Sequence, residues 1–394
     1  MRDIVVYVGS IMLPDKSAGA QRALSLSKSF RDLGYQVVII GMEKGCHQER
    51  SILSTRNTCQ GFDTYAVPQP ASIRQWVHHT ISIKEFTEVI EFYGVDRVKC
   101  VVAMEYEAIA LYRLATYCKK NKIALIADAE EWYEHSTMGF PMNVAKDFDT
   151  WLRMYYVYPK CIKNMICISR FFYEHYEKEI QNRVYIPGTI DPAEEKWKLP
   201  QYTPNEVFTI GYAGNPGTDF GKERLDLLIQ AVRELNAEGN PCILEIAGVD
   251  EKFLSERMGS VIHSMVANEE MVCHGMMTHQ ECLQMIARCD YSAIVREDKR
   301  VTRAGFPTKL SESFGCGTPV ISTKTSNIEE YIAKEHWGVI GDGYMVEMLK
   351  RMIKEAMVHS YSELQAMHAY VISNNPLQYA CYNEPLELFL NNLQ

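Results

Sequence analysis

What the chain lacks narrows its class first. No window approaches the run of about 20 apolar residues that a membrane-spanning helix needs, and the opening "MRDIVVYVGS" holds an apolar run too short for a secretory signal. No basic excess offsets the acids: 41 Lys and Arg stand against 50 Asp and Glu, a net charge of −9. A nucleic-acid partner read through a general positive surface is therefore not expected, and an anionic ligand has to be held by placed groups. The 12 cysteines include no C-x-x-C pair and no clustered Cys/His spacing, which argues against a zinc site and a disulfide framework. A cytoplasmic location is the expectation, with most thiols acting as small buried apolar groups. Also missing are a tight internal repeat, a Walker loop and a G-x-G-x-x-G fingerprint.

What is present suits two soluble domains: 394 residues, 47% hydrophobic and 23% charged. The first part alternates strand and helix. "DIVVYVG" leads to a helix from about Gln21 to Leu33 with Ala23, Leu26, Phe30 and Leu33 on one face, stopped by Gly34 before "YQVVII". "VKCVVAM", "IALIAD", "NMICIS" and "RVYIP" continue the series, and such continuous apolar strands indicate a parallel sheet covered on both faces. Between Pro187 and Phe208 the pattern breaks into "GTIDPAEEKWKLPQYTPNEV", which reads as a linker. The series restarts with "FTIGYAG" and runs through "CILEIAG", "MVCHG", "YSAIVRE" and "GTPVIST" to about Ser373, before a closing amphipathic segment. The expectation is α/β: two doubly wound domains facing each other across a cleft, one over 1–195 with a terminal helix of about 374–394, the other over 205–373. Ligands in such sheets bind at the carboxyl ends of the strands.

Three stretches carry candidate chemistry. The loop "NPGTDFGKERLD" leads to Lys222 at an expected helix start, where backbone N–H groups, the positive helix end and an ammonium make a phosphate site. Taken alone, a solvated lysine on an ordinary turn explains it better. "SAGAQR", from Ser17 to Arg22, is a second strand-to-helix junction, with Gly19 at closest approach. In "RAGFPTKLSESFGCGTPVIST", Pro307 opens a helix whose Thr308, Lys309 and Leu310 offer unpaired N–H groups. Glu312 lies one turn on, where a carboxylate can accept both hydroxyls of a ribose; a helix-surface Glu is the plain alternative. "DAEEWYEH" puts Asp128, Glu131 and His135 at a strand's carboxyl end, where an acceptor hydroxyl could be met, although an acid-rich helix start explains it almost as well. Asp147 and Asp149 flank the stripe of Phe148, Trp151, Leu152, Tyr155 and Tyr156, so they belong to a solvated helix and no metal is expected. "IRQWVHHTISIK" around Trp76 leaves open a peripheral membrane contact against an ordinary helix face.

Read together, these blocks resemble the retaining GT-B glycosyltransferases of family 4, the group 1 type, across nearly the whole chain. "GYAGNPGTDFGKERLDLLIQAV" is similar to the family's glycine loop with its phosphate lysine. "ILEIAG", "HGMMTHQECLQMIARCDYSAIV" and "GFPTKLSESFGCGTPVIST" match the blocks that follow it. The resemblance implies two Rossmann-like domains and metal-independent, retaining transfer of a hexosyl group, with no cofactor. The donor would be a UDP- or GDP-linked sugar. The acceptor would be a glycan or lipid-linked glycan in bacterial surface-polysaccharide assembly, at the inner face of the membrane. It assigns catalytic roles to Lys222, on the donor diphosphate, and Glu312, on the ribose. Backbone near Met276 and Met277 would read the base. Phe306, Pro307, Thr308 and Lys309 would cradle sugar and phosphates, Gly19 would admit the diphosphate, and Asn215 and Gly217 belong to the phosphate loop. Two departures stand out. Ala304 occupies the place of the first Glu of the family's Glu-x7-Glu, and Asn215 that of an arginine, leaving Arg296 or Arg303 to supply the charge. They motivate a rival reading, a catalytically weak or inactive GT-B protein that binds nucleotide sugar or a partner transferase. A nucleotide-sugar epimerase on the same architecture is a third.

Overall fold

A computed structural model describes residues 2–14, 17–46, 51–133, 142–217, 219–332 and 337–394. They divide into two compact units, Met1–Ile190 with Ala304–Phe306 and Gln378–Gln394, and Asp191–Arg303 with Pro307–Leu377. Among the described residues, no helix is long and apolar enough to cross a membrane.

The first unit is built on eight strands: β1 (Ile4–Gly9), β2 (Gln36–Glu43), β3 (Asn57–Cys59), β4 (Phe62–Pro68), β5 (Val98–Met104), β6 (Ala124–Ala129), β7 (Asn164–Cys167) and β8 (Asn182–Tyr185). Their order is β3-β4-β2-β1-β5-β6-β7-β8, parallel except for β3 against β4. Every residue of β1 is buried, which is why "IVVYVG" shows no alternation: helices cover both faces. The helix Ala18–Asp32 begins three residues earlier than the periodicity suggests. Ser17 caps it by accepting from Ala20 N at 3.1 Å, so the Ala-Gly-Ala run is already helical. The antiparallel β3–β4 edge is an addition to the expected pattern, turned by Gln60 and Gly61 at φ 51° and 84°. From β1 the chain builds outward through β2 and β4, then resumes on the other side with β5. The order therefore reverses between β1 and β5. The last segment completes this unit: Gln378 pairs with Ile190, and Leu386, Phe389 and Leu390 enter the core with Val5, Tyr7 and Val102.

Six parallel strands make the second unit: β9 (Phe208–Ala213), β10 (Cys242–Ala247), β11 (Met271–Gly275), β12 (Tyr291–Ile294), β13 (Val320–Thr323) and β14 (Gly338–Gly341), ordered β11-β10-β9-β12-β13-β14. Reversal here falls between β9 and β12. The segment after Ile190, read as a linker, instead packs into this unit. Trp197 and Leu199 lie against Leu283 and Ile286, and Tyr202 stacks on His368 at 3.4 Å while donating to Asp290. Prolines and charges break the periodicity there without removing the apolar anchors.

Candidate functional site

At the second sheet's reversal, β9 gives way to Gly214, and Arg296 lies two residues beyond the end of β12. Between them sits Glu223, only 1% exposed. Its carboxylate accepts from the Tyr212 hydroxyl at 2.8 Å, from Arg296 Nε at 3.2 Å and from Lys309 Nζ. The Lys309 ammonium also stands 3.8 Å over the Tyr212 ring. Burial alone would raise the Glu223 carboxyl, but Lys309 and Arg296 override it and hold it below the ordinary glutamate value. Lys309 is itself lowered by burial, against the pull of Glu223. Two cations against one anion leave a surplus positive charge at the carboxyl ends of the strands, where an anionic ligand can be met. Gly214, at φ +140°, is required here. A Cβ on it would stand 2.6 Å from Lys309 Cε and 2.8 Å from Nζ.

Lys222 lies beside this cluster rather than in it. Its side chain is exposed, and the helix starts at Leu225 with Arg224 as N-cap, three residues later than expected. The Pro216 carbonyl accepts from both Lys222 N (3.1 Å) and Glu223 N (3.3 Å), and Arg224 N bonds to Val295 O at 2.8 Å. These bonds hold 222–224 as a turn that carries Glu223 inward and leaves Lys222 outward, close enough to help depress Lys309. Asn215 is a loop-shaping group: its Oδ1 accepts from Gly217 N at 2.8 Å, and Gly217 takes φ +86°.

The helix Thr308–Gly315 has Pro307 as its N-cap, not inside its first turn, and no side chain caps it. Leu310 N is taken by the Pro307 carbonyl at 2.9 Å, so Leu310 is not one of the free amides expected there. Glu312 is half-buried, with Oε1 3.2 Å from His279 Nε2, and it lines a small cavity together with Lys309. Met276 and Met277 sit in the loop between β11 and the helix His279–Arg288; Met276 is exposed and Met277 packs against the cluster that includes Leu283 and Ile286. Of the two candidate arginines, Arg296 joins the cluster, whereas Arg303 is exposed and pairs with Asp298 at 3.3 Å. Ala304 and Phe306 are buried, and the Ala304 carbonyl accepts from the Ser169 hydroxyl at 2.6 Å within the first unit.

A second charged cluster occupies the reversal of the first sheet. Asp128, at the end of β6, is fully buried and bound by the Tyr7 hydroxyl and by Arg22 Nη2 at 2.6 Å. Arg22 Nη1 donates to the carbonyls of Ile186 and Pro187, each at 2.9 Å, and Arg22 Nε stands 3.0 Å from Glu130. Asp128 therefore fixes Arg22 from inside the core, which corrects the expectation that it meets an acceptor hydroxyl. Glu130 stands at Gly19, its Oε2 3.8 Å from where a Cβ on that glycine would lie. Burial, reinforced by Asp128, raises the Glu130 carboxyl; burial likewise raises Glu105, which accepts from the amides of Glu130 and Glu131. Glu131 is half-buried, and His135 lies outside the described residues. Asp149 is no idle surface acid: its Oδ1 accepts from Ala108 N at 2.9 Å, at the start of the helix Ala108–Asn121. Glu223, His279, Arg22 and Glu130 were not singled out from the sequence. Glu223 follows Lys222 in a charged run, where nothing in the spacing tells which side chain turns inward.

Residues 212–372, which apart from Ala304–Phe306 lie within the second unit, match the family model described as "Glycosyl transferases group 1". No curated protein matches the chain. The whole chain has the GT-B fold. HepE from Anabaena, solved with UDP and glucose, superposes with a TM-score of 0.64 at 12% identity, covering 98% of this chain and 99% of that one. The catalytic domain of starch synthase IV from Arabidopsis thaliana, bound to ADP and acarbose, gives 0.68 at 11% identity, covering 98% of each. WaaG, described as a glycosyltransferase involved in lipopolysaccharide biosynthesis, gives 0.58 at 14% identity, covering 97% and 99%.

Proposed function

We propose that the protein is a retaining, metal-independent hexosyltransferase that takes its sugar from a UDP- or GDP-linked donor. The carrying observation is the Arg296–Glu223–Lys309 cluster at the strand ends of the second unit. Lys309 and Arg296 meet the donor diphosphate there, beside the uncapped start of the helix Thr308–Gly315, and Lys222 adds charge from the loop. Glu312, oriented by His279, takes the ribose hydroxyls, and backbone at Met276 and Met277 reads the base. Thr308, Pro307 and Phe306 border the sugar. In this reading Gly19, Glu131 and His135 belong to the acceptor-side unit's contribution, as the resemblance implies. UDP bound to HepE and the involvement of WaaG in lipopolysaccharide biosynthesis favour a glycan or lipid-linked glycan acceptor in bacterial surface-polysaccharide assembly. We also propose a cytoplasmic enzyme with a peripheral contact at the inner membrane face. The helix Ile73–Ile81, with Ile73 and Val77 exposed, would make that contact.

Calorimetry with UDP and GDP, followed by turnover on a nucleotide-sugar panel, tests the assignment. Lys309→Ala is expected to slow turnover roughly 30- to 1,000-fold, the cost of a lost phosphate-clamping charge, and Lys222→Ala by less than about tenfold. Unchanged turnover in Lys309→Ala would refute the diphosphate site. One observation favours the rival, non-catalytic reading: the Glu223 carboxylate already occupies the cationic pair. Glu223→Gln separates the two. An active transferase loses turnover as Lys309 comes loose, whereas a nucleotide-sugar-binding protein gains UDP affinity and still forms no product.

A further inference from the structure

The first unit contains a cavity of about 880 Å³ that the proposed transfer does not use. Six cationic residues line it: Arg2, Lys99, Lys119, Lys122, Lys160 and Lys163. Among the described residues no acidic side chain lines it, and none of its five lysines is ion-paired. The cations converge from separate elements. Lys99 is the second residue of β5, Lys119 and Lys122 close the helix Ala108–Asn121, and Lys160 and Lys163 lie on the approach to β7. A favourable interaction with a helix C-terminus accounts for Lys119, and for Lys160 in the last turn of the helix Tyr158–Cys161, but not for Lys99 or Lys163. The cavity opens at the amino ends of β5, β6 and β7, whereas the Arg22–Asp128 cluster sits at the opposite, carboxyl ends.

The first unit as a whole is electrically balanced, with 23 basic and 23 acidic residues, so this concentration is local. Like charges gathered around one cavity repel, and a bound polyanion turns that repulsion into attraction. The one guanidinium is partly committed, donating to the carbonyls of Asn121 and Lys122. Recognition therefore rests on lysines, which act as point charges on phosphate rather than as planar forks. The volume exceeds what a lone phosphate fills and lies in the range of small-molecule sites. Ile123, Leu125 and Leu393 give it an apolar wall.

We propose that this cavity binds a phosphate-bearing group, a substituted phosphate or diphosphate carried either by a lipid headgroup or by a free solute. Two probes tested on the full chain distinguish the sources: pyrophosphate by calorimetry, and sedimentation with phosphatidylcholine vesicles with or without phosphatidylglycerol. Pyrophosphate binding that persists with UDP saturating the second unit's site, without vesicle binding, assigns a soluble ligand, and binding only to phosphatidylglycerol vesicles assigns a headgroup. Lys119→Gln/Lys160→Gln/Lys163→Gln is expected to weaken whichever binding occurs about 100-fold, the same three positions as Arg to retain it, and UDP binding to be unchanged in both. Lys163→Glu, a single change at an exposed position, repeats the test should the triple variant fold poorly. Absence of binding by the unmodified protein to either probe, or equal binding by the Gln and Glu variants, overturns the proposal.

Discussion

Lys222 and Glu223 adjoin in the chain, yet the first is exposed and the second is buried against Arg296 and Lys309. Backbone bonds to the Pro216 carbonyl decide which of them turns inward, and a loop has no period from which that choice could be read. Gly214 is the neighbour on which the arrangement depends. Gly214→Ala forces either the loop or Lys309 to move, because φ +140° and a 2.6 Å approach both disfavour a Cβ. The expected outcome is a loss of about 1–3 kcal/mol in stability together with weakened UDP binding, read by thermal melting and calorimetry. Retention of both would show that Lys309 reaches Glu223 by another path. The site was legible where helix geometry constrains it: Lys309 and Glu312 lie on a helix that the sequence announces, with Pro307 as its N-cap. It was illegible at Glu223 and Arg22, whose oppositely charged partners lie 73 or more residues away.

Elements with a continuous apolar run could be read from the sequence because burial on both faces leaves no other pattern. β1, β2, β5 and β6 of the first sheet and β9 and β13 of the second are of this kind. β3 and β14 could not: β3 has three residues, β14 lies at the end of its sheet, and both carry half-exposed positions without a long apolar run. The start of the helix Ala18–Asp32 was displaced for a definite reason, since a cap rather than apolar periodicity sets it. Ser17 is that cap, and its hydroxyl holds Ala20 N at the turn containing Gly19. Ser17→Ala should therefore lower stability by about 1 kcal/mol in denaturant titration, with an unchanged slope. Ser17→Asp should restore most of that loss, and failure to do so would mean that the helix start is held by packing alone.

All of the chain's net charge of −9 falls in the second unit, where 27 acids face 18 bases. That unit also holds a buried, acid-sensitive imidazole. His368 stacks on Tyr202, and its Nε2 donates to the Asp290 carbonyl at 3.1 Å, so the neutral ring is the form that fits. Burial lowers its pKa from 6.5 to about 4. Between these values the unfolded chain binds a proton that the folded one refuses, so stability falls as pH drops through this window and levels off below it. The loss amounts to roughly 3 kcal/mol, and thermal melts from pH 7 to 4.5 should show it. His368→Gln should flatten that dependence; an unaltered slope would place the acid-sensitive group elsewhere. The pairing of Ile190 with Gln378 has a topological meaning as well. Apart from Ala304–Phe306, the chain leaves the first unit and rejoins it at two adjacent points. The second unit is thus a guest inserted into a single host sheet, and a short connection from 190 to 378 could replace it without stretching β8 or displacing the terminal helix.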